Sequence, residues 1–289
     1  MRSIRIDCRG RALELGQGTW LLGILNVTPD SFFDGGRFAG VEAAVAHGRR
    51  LVEEGAAVID IGGQSTRPGH AEIPAAEEIA RIRPVVEALA AAVAVPLSID
   101  TYKPPVARAA LAAGGHLLND VHGFQGDAGM AAVAAEFGCP VILMHHDRNF
   151  PQAPGATMEK IRRFFARSLQ IAADAGVPAD RIILDPGIGF FKTQAQNLEI
   201  LGQLGALRSL GRPILLGASR KSVIGRVLGL APEDCLEGTL ATTVLAVAQG
   251  VELVRVHDVL ANARAVEMAE AILVKSSLRD RSPIPWTGT

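Results

Sequence analysis

Aromatic side chains are scarce in this sequence, at 4% of residues, and no long apolar run interrupts it. The hydrophobic 48% must therefore be largely aliphatic, the kind of branched packing that fills a parallel barrel in layers. A membrane-spanning helix needs ~20 predominantly apolar residues, and nearly apolar runs such as Leu240–Ala248 fall well short of that. Met1–Asp7 has no apolar stretch of the kind a signal peptide carries, so the expected compartment is the cytoplasm and no membrane partner is expected. Neither sign of charge is in excess. A net charge of −1 leaves no basic field for nucleic acid or anionic lipid, so an anionic ligand must be gripped by a few local cations. The three cysteines, Cys8, Cys139 and Cys235, follow no metal or disulfide spacing and read as small buried side chains in a reducing compartment.

Three familiar motifs are also missing. Gly187-Ile188-Gly189 is followed by Lys192 where a dinucleotide-binding turn needs its third glycine. Arg220 occupies the glycine position before Lys221, which excludes a Walker A loop. No His-x-His follows the first strand, and the adjacent pair His145-His146 would point to opposite faces of a strand. Together these argue against a transition-metal site. Magnesium stays open, because it needs only one or two protein oxygens beside phosphate oxygens and water.

What is present is alternation. Eight short aliphatic runs stand at Trp20–Asn26, Ala57–Ile61, Pro96–Asp100, His116–Asp120, Pro140–His145, Ile182–Asp185, Pro213–Gly217 and Leu253–His257. Such near-continuous runs suit parallel strands buried on both faces. Helical stripes lie between them, such as Val41, Val45, Leu51 and Val52 before Gly55. A second stripe, Met158, Ile161, Phe164, Phe165, Leu169 and Ala172, has Thr157 as expected cap and Gly176 as stop. The expected fold is α/β, a single (βα)8 TIM barrel, with a doubly wound open sheet as the competing arrangement. Residues 1–18 read as an N-terminal hairpin closing the barrel bottom, 19–275 as the barrel, and 276–289 as a C-terminal tail.

Nearly every run ends in polar residues: Asn26, Asp60, Asp100, Asn119-Asp120, His145, Asp185, Ser219 to Lys221, and Arg255 with His257. Strand C-termini converge at one mouth of a barrel, where active sites of this fold lie. Any one Asp or Asn could instead cap the next helix, as could Asp60 and Asp120 with their nearby loop glycines. Alternation turns Arg255 and His257 the same way, into the barrel, a costly place for charge without an anion there. A partner carboxylate such as Asp258 or Glu252 is the plainer alternative. Two long loops, 26–36 and 62–69, carry polar and aromatic residues between glycines and prolines and read as lids over a substrate.

In these loops and strand ends the chain resembles the dihydropteroate synthases of the folate pathway, from about residue 20 to about residue 274. The resemblance rests on seven motifs in order: Asn26 to Phe32, Ser65 to Gly69, Ser98 to Thr101, Asn119 to Val121, Asp185 to Phe190, Ser219 to Ser222 and Arg255 to Asp258. It implies a transferase that joins p-aminobenzoate to 6-hydroxymethyl-7,8-dihydropterin diphosphate and releases diphosphate. Asp185 and Asn119 would meet the pterin edge, and Lys221 its ring carbonyl. Arg255 would stack over the ring, while Asp100 would stabilise positive charge as the carbon–oxygen bond breaks. Thr66 and Gly217 belong to the same pocket. Asn26, Arg67 and His257 would face the diphosphate, with Mg2+ held partly by Asn26.

The resemblance also implies Phe32, Pro68 and Phe190 around the p-aminobenzoate ring, Ser222 at its carboxylate, and Asp34 near the metal or the amine proton. Family members are often homodimers, and Leu240–Ala248 could serve such an interface or ordinary barrel packing. The chain departs from the family's wording at three places. Gln64 stands where Glu is frequent, Phe191 where a small residue is common, and residues 146–154 follow a different pattern. A methyltransferase binding methyltetrahydrofolate in a related barrel would share the pterin carboxylates, but has no need of Arg255 with His257 or of the Thr66 to Gly69 loop. A pterin-binding paralogue without catalysis is the remaining alternative.

Overall fold

The first two strands, β1 (Ile4–Cys8) and β2 (Arg11–Leu15), pair antiparallel through a tight turn at Arg9 and Gly10. Both turn residues have positive φ, 54° and 92°, the type I′ geometry that suits the twist of a two-residue hairpin. Asp7 Oδ1 accepts from Gly10 N at 2.9 Å and fixes the turn. In this computed structural model the described residues are 4–27, 37–64 and 72–273. The expected tail 276–289 lies outside them.

Eight further strands follow: β3 (Trp20–Asn26), β4 (Val58–Gly62), β5 (Leu97–Asp100), β6 (Leu117–Asp120), β7 (Val141–Met144), β8 (Ile182–Asp185), β9 (Leu215–Leu216) and β10 (Leu253–Val256). The helices are α1 (Arg37–Glu53), α2 (Ala75–Ala92), α3 (Pro104–Ala112), α4 (Gly129–Phe137), α5 (Thr157–Asp174), α6 (Gln194–Gly202), α7 (Ser222–Leu228), α8 (Leu236–Ala248) and α9 (Val259–Leu273). The sheet runs β8-β7-β6-β5-β4-β3-β10-β9, all parallel. A parallel bridge between Leu184 and Ile214 joins the two ends of that order. Sequential neighbours and this closure give the (βα)8 barrel and exclude the open doubly wound sheet. The seventh barrel strand is shorter than its aliphatic run suggests: Pro213 has no N–H for the ladder, and Ile214 N donates to the Glu252 side chain at 2.9 Å rather than to a neighbouring strand.

Two apolar layers hold the structure. One fills the space between strands and helices, with Leu25, Ile61, Leu89, Ile99, Leu143 and Phe165 among its buried members. The other lies inside the barrel, where Leu22, Val58, Leu117, Ile142, Ile183, Leu215 and Leu253 meet Ile6, Cys8, Leu13 and Leu15 of the hairpin. The hairpin thus plugs the end of the barrel opposite the strand C-termini. The thiols are buried and unpaired as disulfides, and burial pushes Cys8 up to about 12.

One cap differs from expectation. Ala156 is the N-cap of α5 and makes no side-chain cap bond. Thr157 is the first helical residue, and its hydroxyl donates to Glu199 Oε2 at 2.6 Å, tying α5 to α6.

Candidate active site at the barrel mouth

Above the apolar inner layer the barrel turns polar. The pairing of Asp60 with Ser98 and of Asp100 with Asn119 sets four polar residues on adjacent strands. Asp60, Ser98, Asp100, Asn119 and Asp185 are all buried. Arg255 reaches across from β10. Its Nε donates to Asp60 Oδ2 at 2.6 Å and its Nη2 to Asp100 Oδ2 at 2.8 Å. Asn119 Nδ2 adds a bond to Asp60 Oδ2 at 3.2 Å. A buried carboxylate is tolerated only when paired, and Asp60 is paired twice. Of the two readings open for this residue, a strand-end polar group or a helix cap, the structure shows the first, at the centre of the cluster.

The partner of Arg255 is therefore neither Asp258 nor Glu252. Asp258 takes Arg220 through both of its oxygens, with Arg220 Nε at 3.0 Å. Glu252 accepts from Ile214 N at 2.9 Å.

Acceptors remain over in this pocket. Asp60 Oδ1, Asp100 Oδ1 and Ser98 Oγ are buried without a protein hydrogen bond. Burial pushes the Asp100 carboxyl up to about 7, against the pull of Arg255 and with the repulsion of Asp60. Burial also raises Asp185, against Lys221 and the backbone N–H of Gly187, which donates to Asp185 Oδ1 at 2.7 Å. The other oxygen, Oδ2, lies 3.4 Å from where a Cβ at Gly217 would stand. Glycine at that position keeps the wall beside Asp185 open. The pocket is thus rich in acceptors, suited to a ligand edge rich in N–H donors.

The rim carries the cations and rings. Lys221 Nζ donates to Ile188 O at 2.6 Å and stands 4.5 Å over the Phe190 ring. His257 Nδ1 and Ser219 Oγ are 3.0 Å apart. Ser222 is exposed as the first residue of α7, and Asn26 is exposed at the end of β3. Val121, Met144 and Phe190 form a small apolar cluster with Tyr102 and Phe191 beside them. Phe32, Asp34, Thr66, Arg67 and Pro68 lie outside the described residues.

Two strand-end residues turn away from the pocket. Asp120 accepts from His122 N at 2.9 Å and Phe124 N at 2.8 Å, which is the turn-capping alternative. His145 is wholly buried among Phe150, Phe164 and Phe165 at centroid distances of 4.7, 4.5 and 6.3 Å. Burial, then Lys192, pushes it down to about 2, so it is neutral and outside the barrel interior.

The family departures fall together. His146 packs edge-on against Phe191 at 4.8 Å, and the Arg148 guanidinium stands 5.9 Å over the same ring. Phe191 has φ 46°, a left-handed backbone that favours glycine, which accounts for a small residue being common there. Gln64, the third departure, accepts from Lys103 Nζ at 2.7 Å and donates to Tyr102 Oη at 3.0 Å. Lys103 keeps a full carboxylate in Glu78, 2.9 Å away, so the neutral Gln64 does not leave it uncompensated.

Among the described residues no group of three or more His, Cys, Asp and Glu side chains could hold a metal ion. The donor beside the mouth is the exposed Asn26 amide. One amide oxygen fits magnesium carried on diphosphate oxygens, and does not fit an ion caged by protein alone.

A family model described as pterin binding enzyme matches residues 22–257. The dihydropteroate synthase of Clostridium beijerinckii is 47% identical over 264 residues, covering 91% of this chain and 97% of the relative. The Xanthomonas albilineans dihydropteroate synthase, solved with 4-aminobenzoic acid, has a TM-score of 0.89 at 44% identity and covers 94% of this chain and 99% of that one. The Clostridium difficile enzyme, solved in the presence of pteroic acid, has a TM-score of 0.87 at 47% identity and covers 90% and 98%. With a barrel whose mouth gathers buried carboxylates around one arginine, and relatives that match over nearly their whole length, this chain belongs to the pterin-binding enzyme family, among its dihydropteroate synthases.

Proposed function

We propose that this chain joins p-aminobenzoate to 6-hydroxymethyl-7,8-dihydropterin diphosphate, giving 7,8-dihydropteroate and diphosphate. The observation that carries the reading is the buried set Asp60, Asp100, Asn119 and Asp185 around Arg255, with acceptor oxygens left over. An amino-pyrimidine edge supplies the N–H donors that such a pocket lacks. Hydrogen bonds with a charged partner contribute roughly 1.5–3 kcal/mol each. Asp185 and Asn119 hold that edge, Lys221 turns from Ile188 O to the ring carbonyl, and Arg255 covers the ring face.

In the reaction the bond between the pterin methylene carbon and the diphosphate oxygen breaks, and its electron pair leaves with diphosphate. Asp100 stabilises the positive charge that develops on the ring system, an interaction stronger in the transition state than before it. The amine nitrogen of p-aminobenzoate then attacks the methylene carbon and loses a proton to water or to Asp34. Phe190, with Phe32 and Pro68, walls the p-aminobenzoate ring, and the Ser222 hydroxyl takes its carboxylate. Asn26, Thr66, Arg67 and His257 face the diphosphate. Magnesium, when bound, neutralises charge on the leaving diphosphate, and Asn26 would supply one oxygen to it.

A homodimer fits the side of the barrel formed by α7, α8 and α9, where Val227, Leu245, Met268 and Ile272 are exposed. Large apolar exposure on a helical face suits a protein interface. Among the described residues no helix is long and apolar enough to cross a membrane, which is consistent with the cytoplasmic placement expected for a folate enzyme. The testing experiment supplies the purified protein with magnesium and both substrates. Equal release of dihydropteroate and diphosphate supports the reaction; pterin binding without product would leave the non-catalytic paralogue.

A further inference from the structure

The segment from Asp185 to Lys192 carries both halves of the proposed site, the pterin carboxylate at one end and Phe190 near the other. It is an unusual stretch of backbone. Gly187, Gly189 and Phe191 have positive φ of 66°, 86° and 46°. A Cβ at Gly187 would come within 2.2 Å of His145 O, so the arch lies directly on the end of β7. Under this arch sits the Lys192 ammonium, only 9% exposed. It donates to Gly187 O at 2.8 Å and Phe190 O at 3.1 Å, and faces His145 Nδ1 at 3.0 Å. Three donors meet three acceptors.

Among the described residues, the hydrogen bonds of the Lys192 ammonium go to two carbonyls and an imidazole, none of them a carboxylate. Burying an ammonium against neutral acceptors alone is costly, and burial accordingly pushes Lys192 down to about 7. The neutral His145 offers a lone pair rather than a competing charge. An apolar side chain would fill the same space without that penalty, but it would leave Phe190 O without its donor and Gly187 O with only the 3.2 Å bond from Phe190 N. Elsewhere among the described residues the arch is held by Gly189 N, which donates to Asn197 Oδ1 at 2.7 Å, by Asn197 Nδ2, which donates to Lys192 O at 3.3 Å, and by Lys221, which donates to Ile188 O. Lys221 is the cation proposed to turn toward the pterin. Once it does, Lys192 supplies the remaining charged tie between the arch and the barrel.

We propose that Lys192 is a positioning residue for the second substrate: its buried ammonium binds the carbonyls of Gly187 and Phe190 to the His145 ring and so sets the Phe190 wall against which p-aminobenzoate lies. The inference rests on the reaction proposed above. Asp185 is less dependent on this tie, because it is anchored in the β8 ladder opposite Met144. The two substrates should therefore respond differently to the loss of the ammonium.

The test is steady-state kinetics on Lys192→Met and Lys192→Gln beside the wild type, with calorimetric binding of the dihydropterin diphosphate to each. The expected result for Lys192→Met is a KM for p-aminobenzoate raised about tenfold or more, the factor attached to one charged hydrogen bond. Its kcat and its pterin affinity should stay within about threefold of wild type. Lys192→Gln, which keeps a neutral donor, should fall between the two. An unmoved KM for p-aminobenzoate overturns the role of Lys192 alone. Equal loss of pterin binding in both variants also overturns it, since the lysine then supports the fold as a whole. A wild type without turnover overturns the reaction beneath it.

Discussion

Replacing Asp60 by asparagine keeps the size and shape of the side chain and removes one charge from the centre of the site. Asp60 is fully buried and accepts from both Arg255 Nε and Asn119 Nδ2 on a single oxygen. The amide can still accept from Arg255, but its NH2 must then stand where Oδ1 now makes no protein bond. Exchanging a charge-assisted bond for a neutral one removes about 1–2 kcal/mol. At ~2–4 °C per kcal/mol for a chain of this size, the melting temperature should drop by about 2–8 °C. Arg255 keeps Asp100, so the protein should still fold.

The looser guanidinium should weaken binding of the dihydropterin diphosphate by about tenfold, equivalent to ~1.4 kcal/mol. There is a second signature. Asp60 is one of the charges holding the Asp100 carboxyl high. Its neutralisation should therefore shift the ionisation of Asp100 to lower pH, and with it the acid limb of the rate profile. Differential scanning fluorimetry, calorimetry and a pH series on Asp60→Asn measure all three effects. A variant with unchanged melting temperature, pterin affinity and acid limb would refute the view that Asp60 orients Arg255.

Further outcomes concern the pH dependence of the reaction and the exposed apolar side. In the wild type, kcat/KM should rise with pH to a plateau above about 7, because burial raises Asp100 to about 7 and its ionised form is the one that stabilises positive charge. The sign for stability is the reverse: folding holds this proton more tightly than the unfolded chain does, so the contribution of Asp100 to stability falls as pH rises from 3.8 toward 7. Asp100→Asn should flatten that rate limb. Glutamate at both Leu245 and Met268, on the exposed apolar side, should convert a two-chain species to a single chain in light scattering; an unchanged mass would place any dimer interface elsewhere.

The strands were legible because each is an aliphatic run buried on both faces, and the mouth because polar residues cluster where those runs end. Arg255 was legible by alternation, since Arg255 and Val256 must face opposite ways. Asp60 is harder to read than its neighbours, because the glycines after it make it resemble a cap. Its signal was positional: Val58 shares its side of β4 and belongs to the inner layer, so period two carries Asp60 into the barrel as well. The adjacent pair His145-His146 gave no phase of its own. That phase comes from the neighbouring strand, where Met144 pairs with Asp185 and so leaves His145 to the phenylalanines outside. The partner of Arg255 was illegible for a different reason. Asp60 and Asp100 lie 195 and 155 residues away in sequence, whereas the nearby Asp258 and Glu252 are engaged by Arg220 and by Ile214 N.

On the proposed mechanism, the carboxylates around Arg255 turn bound pterin diphosphate into an electrophile for p-aminobenzoate. Single-turnover formation of dihydropteroate, with magnesium present and wild type compared with Asp100→Asn, tests it most directly. The wild type should form product and the variant should be slower by about a hundredfold or more, the scale of removing an electrostatic group aimed at transition-state charge, with pterin still bound. Equal rates in the two proteins, or no product from the wild type despite tight pterin binding, would contradict it.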